Sequence, residues 1–427
     1  MYRSLGLVFL SSAVFAAPAP NPVTFSKDVA PILQGNCETC HRPGEAAPMS
    51  LRTYQESRPW AAAISEAVTL KKMPPWFADP KYGHFANDRS LKQKDIDTLV
   101  AWAQTGAKEG NPKDLPKPAA FITGWNIGQP DLQIEMPAAF KIPATGTLDY
   151  QYILVPGDFK KDTWVEQAEV RPGNRALIHH VIAFIRTPGS KWMKDLEPGV
   201  PLVPKKEQGE GMGEFLVGYA PGVIAIRMEP GRAMLIKAGS DIVLQLHYTA
   251  NGKEGEDRTK VGFVFAKGPV KERVMTLAAT DNKFAIPAGD SNYRVDSSFE
   301  FGDDAKIISY GPHMHLRGKD FEFRAVYPTG ETETLLKVPN YSFSWQLTYF
   351  PVKDLVVPKG SKIECIAHYD NSANNPNNPD PTKVVKYGDQ SWEEMMFGFF
   401  SVAFDADKDP KSLFPQRKKP APAAALE

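Results

Sequence analysis

The chain has 427 residues, and its 50 basic and 50 acidic side chains balance without a long run of either sign. This length predicts two or three domains, and the balanced charge argues against nucleic acid or an anionic membrane as the main partner. Proline and glycine are frequent, with 38 and 32 residues, and long helical periodicities are scarce after residue 110. The composition therefore predicts a mainly β protein with many turns.

The first residues predict export. Arg3 precedes a short, mostly apolar run over residues 5–15, and the small side chain of Ala16 offers a cleavage point. Residues 1–16 are therefore expected to form a signal peptide. The apolar run is too short to span a bilayer, and no later stretch is long and apolar enough to do so. We expect a periplasmic or secreted protein without a membrane span.

A haem-attachment motif lies in the first, helical part of the chain, residues 22–110. Residues 37–41 have the pattern C-x-x-C-H, in which two thiols add to the haem vinyl groups and the adjoining histidine ligates the iron. With the export signal, this motif predicts one covalent c-type haem held by Cys37, Cys40 and His41. The segment resembles the small single-haem cytochromes c, which implies a small all-α domain.

Met73 is the predicted sixth ligand of this haem. Pro74 and Pro75 follow it and hold the loop extended, which suits a thioether presented to a haem face. Met49 is the competing candidate, but it follows His41 so soon that reaching the opposite haem face is awkward. For either methionine, packing in a hydrophobic core is the ordinary alternative.

The remaining organisation follows from composition and turn signals. A stiff, polar, proline-rich stretch over residues 111–121 predicts an interdomain linker. Beyond it, short apolar or alternating runs separated by turn residues predict two β-sandwiches, over residues 122–270 and 271–407. Residues 408–427 are rich in Lys, Pro and Ala and are expected to form a disordered tail.

Histidines are clustered in the β-rich part. Of the eight in the chain, one belongs to the haem motif and five lie in three further short motifs. His313 and His315 are two apart on a predicted strand, so their side chains share a face. The adjacent His179 and His180 can bind one ion only if their strand is twisted or bulged. His247 lies on an apolar strand, where a buried structural histidine is the usual explanation.

Taken in order, these motifs resemble those of the copper type II, ascorbate-dependent monooxygenases, the family of peptidylglycine α-hydroxylating and dopamine β-monooxygenases. The resemblance spans about residues 125–405 and implies two jelly-roll-like β-sandwiches that each hold one copper. It rests on four segments in the family's order: Ile178-His179-His180-Val181, Leu244-Gln245-Leu246-His247-Tyr248, His313-Met314-His315-Leu316-Arg317-Gly318-Lys319 and Glu393-Glu394-Met395.

The resemblance implies that His179, His180 and His247 form a three-histidine copper site that transfers electrons. Nitrogen ligands of this kind suit copper, although the chemistry alone does not select it. Two further histidines, His84 and His368, have no counterpart in the pattern. We expect neither of them to bind metal.

For the second copper, where O2 binds and a C–H bond is attacked, the resemblance implies His313, His315 and Met395 as ligands. Sulfur favours the reduced ion, so two imidazoles and a thioether suit a copper that alternates between Cu(I) and Cu(II). Met396 is an alternative thioether ligand. For both methionines, packing in the sandwich core is the alternative without metal.

The chain departs from the family in two respects. The family pairs a cysteine matching Cys365 with one just after the ligand methionine, and here that second position is Met396. The positions that bind a peptide carboxylate in the family correspond to residues 310–312 and 397–399, which read Tyr-Gly-Pro and Phe-Gly-Phe. These residues argue against a glycine-ended peptide and favour a small apolar or aromatic substrate.

We therefore expect an exported haem- and copper-dependent monooxygenase that hydroxylates a small substrate with O2. Electrons would pass from an external donor, either a small reductant or a redox protein, through the haem to the two coppers. The alternatives are a non-catalytic electron-transfer protein with the same metals, and a copper oxidation without hydroxylation. A blue-copper enzyme is disfavoured because Cys365 lacks the flanking histidine and methionine that such a site needs.

Overall fold

The computed structural model describes most of the chain, in five stretches: residues 22–45, 47–122, 124–204, 213–220 and 228–415. The predicted signal peptide, residues 1–16, lies outside the described residues, as do residues 416–427 of the predicted tail. Within the described stretches, no helix is both long and apolar enough to cross a bilayer.

The first part of the described chain is helical. Its α-helices are α1 (Ala30–Asn36), α2 (Tyr54–Ser57), α3 (Ala61–Thr69) and α4 (Gln93–Gln104). A π-helical turn, Phe25–Val29, precedes α1, and a 3-10 turn, Arg58–Trp60, separates α2 from α3. The helical stretch over residues 54–69 is thus divided, because Pro59 in that turn has no N–H to donate into a continuous helix.

These helices enclose a small core of their own. Apolar residues recur along one face of α4, which buries Ile96, Leu99 and Trp102. The Trp102 ring lies 5.9 Å from the ring of Phe25, and its Nε1 donates to the Lys108 carbonyl oxygen at 3.0 Å. The helical part therefore has a hydrophobic core of its own, separate from the cores of the strands.

The rest of the described chain is built from strands, which confirms the mainly β prediction. The first ten are β1 (Leu132–Glu135), β2 (Phe140–Ile142), β3 (Gln151–Val155), β4 (Thr163–Arg171), β5 (Ile178–Arg186), β6 (Glu214–Tyr219), β7 (Arg232–Ile236), β8 (Asp241–Tyr248), β9 (Gly255–Asp257) and β10 (Lys260–Phe265). The others are β11 (Glu272–Thr280), β12 (Ala285–Ile286), β13 (Tyr293–Glu300), β14 (Ala305–His313), β15 (Gly318–Val326), β16 (Thr332–Val338), β17 (Leu355–Val357), β18 (Lys362–Tyr369), β19 (Val385–Lys386) and β20 (Phe397–Asp405).

The strands form two packed units that share one sheet. Eight strands pair in the order β1-β10-β4-β7-β11-β20-β14-β17, and two four-stranded sheets have the orders β3-β8-β5-β6 and β13-β18-β15-β16. One hydrophobic core draws on β3, β5 and β8 together with β4 and β10, and the other on β13, β15 and β18 together with β14 and β20. The two halves of the long sheet therefore each face a smaller sheet, as in β-sandwiches.

The two halves of the long sheet join at a short parallel contact. Glu272 and Arg273 at the start of β11 pair with Arg232 and Ala233 of β7, whereas the other pairs in the sheet are antiparallel. Arg232 strengthens the contact through its Nε, which donates to Glu272 at 2.7 Å. The predicted boundary at residues 270 and 271 falls just before this contact.

The helical part docks on the second sandwich through the segment 76–87. The main chain of residues 84–86 pairs with that of residues 350–352, with Ala86 donating to Phe350 at 2.7 Å. The rings of Trp76 and Phe85 lie 4.9 and 5.5 Å from the ring of Tyr349, which is buried in the sandwich. Backbone pairing and aromatic packing together fix the orientation of the helical part.

The end of the described chain differs from the expected tail. The sequence assigns residues 408–427 to disorder, whereas Pro410–Leu413 forms a 3-10 helix with Leu413 fully buried. The backbone N–H of Gly302 donates to the Leu413 carbonyl oxygen at 2.9 Å. Leu413 adds an apolar side chain to the second core. The sequence does not indicate this contribution, because the residues around Leu413 are mostly polar or proline.

Candidate functional site

Three histidines meet where β5 pairs with β8. The register places His180 opposite His247, and a β-bulge between Ile178 and His180 breaks the alternation of the strand. The bulge lets the adjacent His179 and His180 turn toward the same place, as the sequence required of this pair. The ligand nitrogens of all three side chains lie within 4.8 Å of one another. We call this group the three-histidine cluster.

The nitrogens of the three-histidine cluster are arranged as ligands. The Nδ1 atoms of His179 and His180 lie 3.1 Å apart, and Nδ1 of His247 is buried without a hydrogen-bond partner among the described residues. Burial, with a smaller contribution from His179, lowers the pKa of His247 to about 3. Burial and then the neighbouring imidazoles hold the pKa of His180 well below its usual range. The imidazoles are thus neutral at pH 7, which is the form that binds a metal.

A tyrosine that the sequence did not single out covers this cluster. Tyr150, just before β3, is 3% exposed, and its ring lies 4.6 Å from the His247 ring and 5.3 Å from the His180 ring. Burial raises the pKa of Tyr150 above its ordinary value, so the phenol stays protonated. The ring shields one side of the cluster from water.

A second group lies at the end of β14. The strand ends at His313 and His315 lies beyond it, so only the first of them is in the strand that was expected to carry both. Their rings are nevertheless 5.2 Å apart. His313 is the last paired residue of β14 and lies opposite Phe397 of β20. We call these two residues the histidine pair.

Hydrogen bonds fix which nitrogen of each imidazole in the histidine pair is left for a ligand. Nδ1 of His313 donates to Oε1 of Gln346 at 2.7 Å, and Nδ1 of His315 donates to the Glu393 carbonyl oxygen at 3.2 Å. Both Nε2 atoms therefore carry lone pairs. Nε2 of His315 is buried and has no partner in the described part of the chain. Burial lowers the pKa of His313 to about 4, so it too is neutral at pH 7.

A buried carboxylate ties the Met395 segment to the histidine pair. Glu394 is fully buried, and its two carboxylate oxygens accept from the backbone N–H groups of His315 at 2.8 Å and Arg317 at 2.7 Å. The buried guanidinium of Arg317 also donates to the Trp392 carbonyl oxygen at 3.0 Å. Burial raises the pKa of Glu394 to about 8 despite these donors. These bonds hold the segment just before Met395 against the main chain that follows His313.

The structure separates the two candidate thioether ligands. Met396 is fully buried in the core of the second sandwich, and Oγ of Ser297 donates to its sulfur at 3.1 Å. Met395 precedes β20, and the ring of Phe397, the first residue of that strand, is 6.4 Å from the ring of His313. Met396 is thus held in the core, and ligation by Met395 stays a prediction.

Phe343 lies between the two histidine groups. Its ring stacks on His179 with centroids 5.0 Å apart and an interplanar angle of 21°, and it meets the His315 ring edge-on at 5.8 Å. A third contact reaches the His247 ring at 6.4 Å. The two groups also affect each other electrostatically, because the histidine pair contributes to the lowered pKa of His180. They therefore face each other across one aromatic side chain.

Aromatic rings continue from the histidine pair along β20. Phe397 and Phe399 project from the same face and stack at 5.0 Å with an angle of 9°, and both rings lie within 6.4 Å of the His313 ring. Phe215 of β6 stacks on Phe399 at 6.4 Å, so the surface reaches the first sandwich. The stretch 397–399 that departs from the peptide-binding pattern is thus an apolar wall beside the pair.

Comparisons with known proteins leave the family open. No protein-family model matches the chain, and no curated protein matches it. Among solved structures, it is similar to the VP2 subviral particle of infectious bursal disease virus, at 10% identity over 67% of this chain and 75% of that chain, with a TM-score of 0.19. The Gx strain of the same virus gives 10% identity, 69% and 77% coverage and a TM-score of 0.18. Likeness this weak carries no argument.

The haem motif forms a turn at the end of α1. The backbone N–H of His41 donates to the Cys37 carbonyl oxygen at 2.9 Å, and Cys37 and Cys40 are both free, half-buried thiols. Nδ1 of His41 donates to the Met49 carbonyl oxygen at 3.3 Å, which leaves Nε2 for a metal. The main chain of Met49 therefore lies on the Nδ1 side of the His41 ring. Ligation by Met73, which is half-buried beyond α3, stays a prediction.

The haem motif and the three-histidine cluster are close in the fold. Arg175, four residues before His179, forms an ion pair with Glu45, four residues after His41. The Arg175 guanidinium also lies 5.9 Å from the centre of the Tyr219 ring in β6. The loop that follows the haem motif is therefore held against the beginning of the β5 strand.

Two histidines outside the motifs are placed apart from the three-histidine cluster and the histidine pair. His368 lies on β18, where its Nδ1 and Oδ1 of Asp320 are 2.7 Å apart. The side chain of His84 is exposed. Neither takes part in the three-histidine cluster or in the histidine pair.

The three-histidine cluster should bind a divalent ion. His247→Ala removes one of three converging ligands, and we expect the affinity for Cu(II) to fall by more than about tenfold, since even supporting residues are worth that much. Equilibrium competition with a chelator measures the change. His84→Ala is the matched control and should keep the wild-type affinity. Equal affinities of the wild type and His247→Ala would exclude the cluster as a metal site.

Proposed function

We propose that the chain is an exported monooxygenase that uses one c-type haem and two coppers to hydroxylate a C–H bond of a small apolar substrate. The three-histidine cluster would hold one copper, and the histidine pair with Met395 would hold the other. Cys37, Cys40 and His41 would hold the haem, with Met73 as its sixth ligand. The order of the motifs along the chain, similar to that of the copper type II monooxygenases, supports this assignment.

One observation carries the proposal: two groups of neutral, buried or half-buried imidazoles face each other, and each group contains one buried nitrogen without a partner among the described residues. A buried polar nitrogen without a partner costs about 1–3 kcal/mol, and a bound metal would offset that cost. Nδ1 of His247 and Nε2 of His315 are both in this state among the described residues. A metal in each group would satisfy them. Copper accepts imidazole and thioether together, which favours it at the histidine pair.

When bound, copper would supply the activation of O2 and the haem would supply electrons. The side chains around the two groups would orient the ligands and exclude water. Gln346 holds His313 in the tautomer that leaves Nε2 for a ligand. Tyr150 and Phe343 exclude water from the three-histidine cluster and from the space between the two groups. Water in this space would otherwise favour reduction of O2 without attack on the substrate.

The apolar wall formed by Phe397, Phe399 and Phe215 would bind the substrate. Its rings offer flat apolar surfaces beside His313, and neither residue 310 nor residue 312 carries a cation for a carboxylate. A planar or aliphatic substrate without a formal charge fits these contacts better than a peptide with a free carboxylate. The substrate would thus bind next to the metal that reacts with O2.

The test is a measurement of cofactor content and of isotope incorporation. We expect the chain matured in a haem-c-competent periplasm to hold one haem and two coppers, and 18O from labelled O2 to appear in the product of a panel of small apolar compounds. Metals without substrate-dependent O2 uptake would leave a non-catalytic electron-transfer protein. Retention of haem without copper, even after reconstitution under reducing conditions, would overturn the proposal.

The two methionines give a sharper test of the second copper. Met395→Leu removes the thioether with little change of volume, so the fold should be kept and Cu(I) affinity at the histidine pair should fall by about 10- to 100-fold. Met396→Leu is the matched control, because its side chain packs in the core. X-ray absorption at the copper edge should show a sulfur neighbour in the wild type and the control only. A sulfur signal lost in Met396→Leu instead would reverse the assignment.

A further inference from the structure

The segment that connects β16 to β17 contacts both histidine groups. We call residues 341–350 the arm. At its start, the Tyr341 hydroxyl accepts from the backbone N–H of Met314 at 3.1 Å and donates to the Met314 carbonyl oxygen at 2.7 Å. Met314 is the residue between the two members of the histidine pair. The start of the arm is therefore bonded to the main chain of the pair itself.

The middle of the arm supplies side chains to both histidine groups. Gln346 accepts the Nδ1 proton of His313 at 2.7 Å, and Phe343 lies between His179 and His315. The distance between Phe343 and Gln346 along the chain is three residues, so a shift of the arm would move both at once. The tautomer of His313 and the contact between the groups thus depend on one short segment.

The far end of the arm is held by the helical part of the chain. Nδ2 of Asn87 donates to the Thr348 carbonyl oxygen at 2.7 Å, and Oδ1 of Asn87 accepts from the backbone N–H of Phe350 at 3.0 Å. Both the amide nitrogen and the amide oxygen of Asn87 are thus hydrogen-bonded to the main chain of the arm. Thr348 is two residues from Gln346, which is close enough for this bond to limit where Gln346 can lie.

From these contacts we infer that Asn87 is a positioning residue for the histidine pair and acts on His313 through the arm and Gln346. The helical part carries the haem motif, and through Asn87 it would also hold the arm in position beside His313. The inference rests on the proposed function in taking His313 as a metal ligand. It concerns a residue that lies in neither sandwich and that touches no proposed ligand.

The expected effect has a readout that needs no copper. In the copper-free full chain, nitrogen NMR of 15N-labelled histidine should show His313 protonated on Nδ1, assigned by its loss in His313→Asn. Asn87→Ala should give a mixture of tautomers for His313 and leave the three-histidine cluster unchanged. Asn87→Asp keeps the acceptor for Phe350 and loses the donor to Thr348, so it should fall between the wild type and Asn87→Ala. An unchanged His313 signal in Asn87→Ala would overturn the inference.

Copper affinity gives the second readout. Asn87→Ala and Gln346→Ala should each weaken Cu(I) binding at the histidine pair by about tenfold, the range typical of residues that support a ligand. If Asn87 acts through Gln346, the double variant should be no weaker than Gln346→Ala alone. Additive losses would overturn the inference, as would equal weakening of the three-histidine cluster.

A control variant distinguishes loss of the Asn87 contacts from a general loss of contact between the helical part and the strands. Glu45→Ala breaks the ion pair with Arg175, which joins the helical part to the strand module away from the arm. This variant should keep the His313 tautomer and the Cu(I) affinity of the pair. The same loss in Glu45→Ala would contradict a role specific to Asn87. A wild type that binds no copper would instead end the proposed function, while the tautomer measurement would still decide the role of Asn87.

Discussion

Strand register is the constraint on which both histidine groups depend. In β5 and β8 the register sets His180 opposite His247, and in β14 and β20 it sets His313 opposite Phe397. A slip by one residue would turn each of these side chains to the other face of its sheet. The bulge before His180 interrupts the alternation of side chains along β5, and this lets His179 and His180 join the same cluster. Because β7 and β11 join the two halves of one long sheet, the groups cannot move apart without breaking that contact.

The chemistry of the two groups follows from their burial. Imidazoles removed from water lose their charged form, so they stay neutral at pH 7 and offer lone pairs. The surrounding residues then choose which nitrogen is free: Gln346 and the Glu393 carbonyl oxygen take Nδ1 in the histidine pair. In the three-histidine cluster, Nδ1 of His247 is the buried nitrogen without a partner among the described residues. The helical part also helps to position these groups, because Asn87 bonds to the segment that carries Gln346 and Phe343.

Much of the site could be predicted from the sequence because short motifs carry it. The C-x-x-C-H pattern and the adjacent histidines with their required bulge describe local geometry that strands and turns impose, whereas His315 lies beyond the strand that its spacing from His313 predicted. Tyr150, Phe343 and Gln346 could not be found this way, since each meets the histidines only through tertiary packing. Arg317 and Glu394 belonged to the motifs, but their bonds to each other's segments appear only in the fold. The same limit applies to Leu413, whose burial no local pattern indicates.

The proposed function implies one copper on each side of Phe343 and an iron at the haem motif. Anomalous X-ray scattering at the copper and iron edges, from crystals of the matured and copper-loaded chain, tests it most directly. We predict one copper peak inside the three-histidine cluster, a second at the histidine pair beside Met395, and one iron peak next to His41. Copper in one group alone, or in neither, would contradict the account.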